Sequence, residues 1–302
     1  MRNLIRLIGA AVASGLVSGC VLPPSGAGWS SDVLLGTTAL GDSYADFLTA
    51  RYAGMVNDPE ASAAYYQQAY EQAPGDADLL DRMIVSLLIA GQADVAGNIA
   101  ANADPEVLAD APFAIMAAAA DDIARGNHRS ASRRLERADL GAMGGIGLAV
   151  RAWMEAERNA ARGVALLEAD GAGRMGGGKT CIAGLLHAAD GDHAAALDAL
   201  DLGFDVCSRI PVLAAAHIRV AFAAEGAERA RAVLERLPSA SRNSVEVSVL
   251  LRMLDRGDEI EPVSLTAQQG AALGLYVAAR AAGANASGQL GAVVLQLMHR
   301  VD

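Results

Sequence analysis

An all-α chain built as a stack of helical hairpins is what this sequence predicts, and three observations lead there. First, turn-like pairs recur at 31- to 35-residue intervals: Asn57-Asp58, Gly91-Gln92, Gly126-Asn127, Asn159-Ala160, Gly191-Asp192, Gly226-Ala227 and Gly257-Asp258. A fixed period of this size marks repeated supersecondary units, each burying its apolar face on the next. Second, the intervening stretches lack the two-residue alternation of strands, and β-branched clusters are scarce. Third, hydrophobic letters make up 53% of the 302 residues but aromatics only 4%. About a fifth of the chain is alanine, a small helix former suited to close helix crossings rather than to lipid.

The amino terminus reads differently. Arg2 and Arg6 precede an apolar run from Leu7 to Val17. Eleven residues at about 1.5 Å each fall well short of a hydrocarbon core of roughly 30 Å, so the run reads as a signal peptide over residues 1–19. Its end, Leu16-Val17-Ser18-Gly19-Cys20, resembles the lipobox of bacterial lipoproteins. That resemblance implies cleavage before Cys20, a diacylglycerol thioether on its sulfur and fatty acylation (palmitate) of the new amino terminus. Several chains together anchor firmly where one would not. Val21 in place of aspartate implies sorting to the outer membrane, facing the periplasm, of a Gram-negative bacterium. Residues 20–41 are expected to be the lipidated cysteine and a flexible tether, since Val21 to Ser31 is rich in proline, glycine and serine. Residues 42–302 are expected to form the helical array.

Within the array the first unit, NDPEASAAYYQQAYEQAPGD, resembles the tetratricopeptide repeat: Ser62, Tyr66, Ala69 and Pro74 stand five, nine, twelve and seventeen residues after Asn57. Ala96 and Ala103, then Ala131, Leu135 and Ala138, then Ala196 and Gly203, continue the pattern in weakened form, and Pro74 has no later counterpart. The resemblance implies seven to eight degenerate repeats in a right-handed α-α superhelix. It also implies a groove, lined by the first helix of each hairpin, that holds a protein partner. Six of the twelve aromatics lie between Tyr44 and Tyr70. Tyr44, Phe47, Arg51 and Met55 fall three or four apart on one helix, followed by Asp78 and Asp81 on the next. Aromatic and arginine anchors are what protein-binding hot spots use.

Rival chemistries were weighed on their residues. Gly173, Gly178, Lys179 and Thr180 fit G-x-x-x-x-G-K-T, a phosphate-cradling loop. No parallel sheet surrounds the motif, so it is read as an inter-repeat loop and no cofactor is expected. His187, Asp190, Asp192 and His193 cluster at one hairpin turn, where polar residues belong without a metal. Asp121-Asp122 reads as a solvated acidic pair. Catalytic motifs are lacking, and a non-enzymatic scaffold is expected. The net charge of −11, with Lys179 the one lysine, argues against nucleic acid. Cys181 and Cys207 lie in an oxidising compartment, where thiols tend to pair. Pairing needs Cα atoms within roughly 4.4–6.8 Å, closer than most helix pairs come, so both states stay open. The last helix carries Leu290, Val294, Leu297, Met298 and Val301 on one stripe with no polar cap after it. That stripe is expected to meet a second copy or a partner.

Overall fold

The structure, a computed structural model, describes residues 31–170, 175–281 and 288–301. The cleavage site and Cys20 lie outside them. Two units are distinguished, Met1–Ala39 and Leu40–Asp302, and the second carries everything that follows. Among the described residues there are α-helices and no strand, and no helix is long and apolar enough to cross a membrane. The expectation of an all-α chain of helical hairpins holds. One boundary moves: α1 runs Ser31–Met55, so the expected tether over 20–41 is helical from Ser31 onward. Leu34 to Leu40 contains no proline, and both prolines of the tether lie upstream of it.

The hairpins follow the turn pairs. α1 turns into α2 (Pro59–Gln72) at Asn57-Asp58. α3 (Ala77–Ile89) turns into α4 (Ala93–Asn102) at Gly91-Gln92. After the short α5 (Pro105–Ala109), α6 (Pro112–Ala124) is paired with α7 (His128–Arg137), and α8 (Gly144–Ala156) with α9 (Ala160–Ala169). α10 (Gly178–Ala189) is paired with α11 (His193–Leu202), followed by the short α12 (Phe204–Cys207). α13 (Pro211–Glu225) is paired with α14 (Ala227–Arg236). The short α15 (Ser239–Arg242), α16 (Val245–Arg256), α17 (Ala267–Ala281) and α18 (Gly288–Val301) complete the chain.

Each turn pair divides the labour of reversing the chain. Its first residue ends a helix in the left-handed region: φ is 60° at Asn57 and lies between 74° and 86° at Gly91, Gly126, Gly191, Gly226 and Gly257. Glycine, or asparagine, takes that conformation at least cost. In the pairs up to Gly226-Ala227 the second residue lies at the start of the next helix, whereas after Gly257-Asp258 no helix begins until Ala267. Asp58 accepts from the Ala61 N–H and Asp192 from the Ala195 N–H, satisfying donors that the helix leaves open. Asn159 departs from the scheme, with an extended φ of −170° and its own side chain capping α9.

The small residues five positions after the turn are buried as expected: Ser62, Ala96, Ala131 and Ala196 are at most 5% exposed. Those twelve positions after are not uniformly so. Ala69 is fully buried, whereas Ala103 and Ala138 are half-buried and sit in extended backbone. The reason is length. α2 has 14 residues, while α4, α7, α9, α11 and α14 have 10 each. The turn those helices lose returns in several linkers as a separate short helix (α5, α12, α15). That conserves the period while erasing the later half of the repeat pattern, including the counterpart of Pro74.

The carboxy-terminal hairpin corrects an expectation. Val294, Leu297 and Val301 are at most 3% exposed, and Leu290 and Met298 are partly buried. The stripe is covered by the chain itself, not by a second copy: α18 packs on α3, α4 and α6, while α17 packs on α8 and α10. Packing of α17 needs glycine, because a Cβ at Gly270 would overlap the Trp153 ring, and Gly274 faces Trp153 and Ala149. α18 is held by Arg300, which donates to Asp121 at 2.6 Å. Asp121 is only 1% exposed and also meets Arg125 at 3.0 Å. The acidic pair expected on a solvated face is thus an internal ion-pair site, with Asp122 engaging Arg134 at 3.2 Å.

Candidate partner-binding cavity

α17 and α18 pack over the middle of the hairpins, and a cavity lies at the amino-terminal end. There α1, the start of α2, α3 and the start of α6 enclose a cavity of about 480 Å³. Of the six expected groove residues, Arg51, Met55, Asp78 and Asp81 line it together. Phe47 stands beside it, with the Arg51 and Arg82 guanidinium carbons each 5.8 Å from its ring centre and Tyr66 edge-on at 6.0 Å. Tyr44 stacks on Phe47 at 6.3 Å but points outward, 63% exposed. Four expected residues therefore converge on the cavity, one supports it, and one belongs to the outer surface.

The cavity floor is apolar, formed by Ala50, Val85, Ile89 and Phe113. Charge is arranged around it. Arg82 donates to Asp78 at 2.7 Å one turn away, which raises the Arg82 pKa above its ordinary value. Asp81 does structural work. Its Oδ1 accepts from the Phe113 N–H at 2.7 Å and the Ala114 N–H at 3.1 Å. It thereby caps α6, whose own N-cap position is Ala111. Burial pushes the Asp81 carboxyl up to about 6, against the lowering pull of the two amides. Arg82, Val85, Ile89 and Phe113 were missed in the sequence. Arg82 was findable as the fourth residue after Asp78, but nothing local marks Phe113, which arrives from the next hairpin.

The other candidates resolve as structure. Gly173 lies outside the described residues. Thr180 donates to the Gly177 carbonyl at 2.8 Å, and a Cβ at Gly177 would press on Val206 at 2.6 Å. Gly177, just before the matched Gly178, thus packs against α12, and the Thr180 hydroxyl is engaged at the start of α10. Asp192 caps α11. Among the described residues no group of three or more His, Cys, Asp or Glu is placed to hold a metal. Cys181 and Cys207 are joined by a disulfide with Cα atoms 5.6 Å apart. The approach is close enough because Cys207 sits in α12 rather than in the antiparallel mate α11.

A second polar cluster lies toward the far end. Asp201 faces Arg229, Arg236 at 3.3 Å and His217 Nε2 at 3.4 Å. The His217 side chain is fully buried, with Phe204 edge-on at 5.8 Å. Burial lowers its pKa to about 4, the pull of Asp201 notwithstanding. The chain matches no family model, and no curated protein matches it.

Proposed function

We propose that this chain is a non-enzymatic, lipid-anchored helical-repeat scaffold of a Gram-negative envelope. It takes a segment of a partner protein into the α1–α3 cavity. The observation that carries the reading is the contrast along one side of the array. The carboxy-terminal hairpin packs on α3, α6, α8 and α10, yet the cavity around Val85, between α1 and α3, stays open beside Phe47, Arg51 and Arg82. An apolar floor rimmed by both signs of charge suits a short amphipathic segment, with an apolar side chain seated and polar neighbours oriented at the rim. The lipobox-like end and the repeat resemblance support the anchor and the scaffold class. Anchoring through Cys20 would confine the cavity to a membrane surface and raise its effective concentration for envelope partners.

The test uses the full chain in intact cells, with a photo-crosslinking residue at Val85. A discrete heterologous adduct is expected, lost in Arg51→Glu and missing when the probe is moved to the exposed Leu202 on α11. Equal adducts from both positions, or none from Val85, overturn the reading. Separately, Cys20→Ser is expected to abolish incorporation of labelled palmitate. Retention of the label would remove the anchor.

A further inference from the structure

The outer face of α1 carries an exposed apolar stripe that shares only Met55 with the cavity. Tyr44, Leu48, Tyr52 and Met55 are 63%, 45%, 65% and 80% exposed. They are four of the ten large apolar side chains found exposed among the described residues. Gly41 is exposed on the same face, with open space where a Cβ would stand. At about 100° per residue these five positions fall within an arc of about 80°. No charged residue lies inside the arc. Asp42 and Asp46 stand on the opposite side of the helix.

The spacing of the stripe is symmetric. From Gly41 to Tyr44, Leu48, Tyr52 and Met55 the steps are 3, 4, 4 and 3 residues. A two-fold interface must be self-complementary, each patch meeting its own copy in reverse. An antiparallel pair of α1 helices crossing at Leu48 meets that condition position by position. Leu48 faces Leu48, Tyr44 faces Tyr52, and Met55 enters the space over Gly41. A parallel pair would set Tyr44 on Tyr44 and leave Met55 against its own equivalent, with the gap over Gly41 unfilled.

We propose that α1 pairs with the α1 of a second copy in this antiparallel register. The two faces together bury on the order of 1,000 Å², at the small end for specific interfaces, so the pair is a reversible dimer that forms when copies are concentrated. This inference does not depend on the cavity having a partner. Met55 is shared with the cavity, whereas Tyr44, Leu48 and Tyr52 are not among its lining residues, so crosslinks at those three positions test the pair separately from the cavity.

The experiment is cysteine crosslinking of the full chain in intact envelopes, with Glu71→Cys on the exposed face of α2 as background. Leu48→Cys alone is expected to give a covalent dimer at least tenfold above that background. Tyr44→Cys and Tyr52→Cys, each weak alone, are expected to crosslink strongly when co-expressed. All three sites are exposed, so the folded chain tolerates them. Leu48→Cys at background level overturns the proposal. Tyr44→Cys crosslinking to itself as well as to Tyr52→Cys overturns the antiparallel register. A monomeric Leu48→Cys chain shielded from an impermeant thiol reagent only on phosphatidylethanolamine–phosphatidylglycerol vesicles also overturns it, assigning the stripe to the bilayer instead.

Discussion

The two ends of one helical side behave differently although helical hairpins form both. Around α1 and α3 the first helices face an open cavity. Over α6, α8 and α10, and over another part of α3, α17 and α18 pack on the chain. Helical spacing decides which residues face that side, and a hairpin far down the chain decides whether they reach solvent. A groove read from the repeat resemblance alone would run the length of the helical array, whereas α17 and α18 pack over its middle and a cavity stays open in its amino-terminal part.

The largest expected effect comes from undocking that cover. Asp121→Ala leaves Arg300 without its buried carboxylate, at a cost of about 3 kcal/mol, reduced from a fully buried pair because the guanidinium retains some solvent. Gly270→Leu attacks the same docking from the other helix by driving a side chain into Trp153. In both variants hydrogen exchange is expected to rise in α17, α18 and the facing surfaces of α3, α6 and α8, with α1 and α2 much less affected. Uniform loss of protection across the chain would mean that the cover is not a separable element and would dissolve the comparison.

How much of this was legible in the sequence follows from the range of the interactions. The turns were readable because one dipeptide both ends and starts a helix, and six of the seven first positions do adopt positive φ. The buried small positions near each turn were readable for the same local reason. Four of six groove residues converge because helical spacing on α1 and α3 determines them. Asp121 was misread as a solvated residue because its partner, Arg300, is 179 positions away. The final stripe was misassigned because amphipathicity says that a face is buried but not by what. The signal that could have helped was Gly270 and Gly274, a small-residue pair one helical turn apart opposite Trp153.

A middle-sized effect tests the far half of the array. The disulfide closes a loop of 26 residues between Cys181 and Cys207, which on chain-entropy grounds stabilises by about 3 kcal/mol. Cys181→Ser with Cys207→Ser is expected to lower the urea midpoint and to loosen α10–α12 first, since the bond pins α12 to α10. If the double variant instead loosens α1–α3 to the same extent, the two ends are more tightly coupled than their contacts imply.

The smallest effect is the one with a sign to decide, because Asp81 and His217 titrate in opposite senses at opposite ends. Asp81 sits at about 6 in the folded chain against 3.8 as a free carboxyl. The folded state thus holds the extra proton, and its contribution is present below about pH 4 and lost as pH rises through 6. His217 sits at about 4 against 6.5. There the unfolded state binds the extra proton, so its contribution is present above pH 6.5 and lost as pH falls through 4. Across pH 4 to 6 the two slopes oppose, each on the order of 2 kcal/mol in total, and the intact chain should show a shallow stability profile from these two groups. Asp81→Asn keeps an acceptor for the Phe113 and Ala114 amides while removing its titration, so denaturant midpoints should then rise more steeply with pH across this window. His217→Leu should reverse the change and make stability fall with rising pH. Two variants with the same slope as the parent would mean that neither burial holds its proton as the geometry requires.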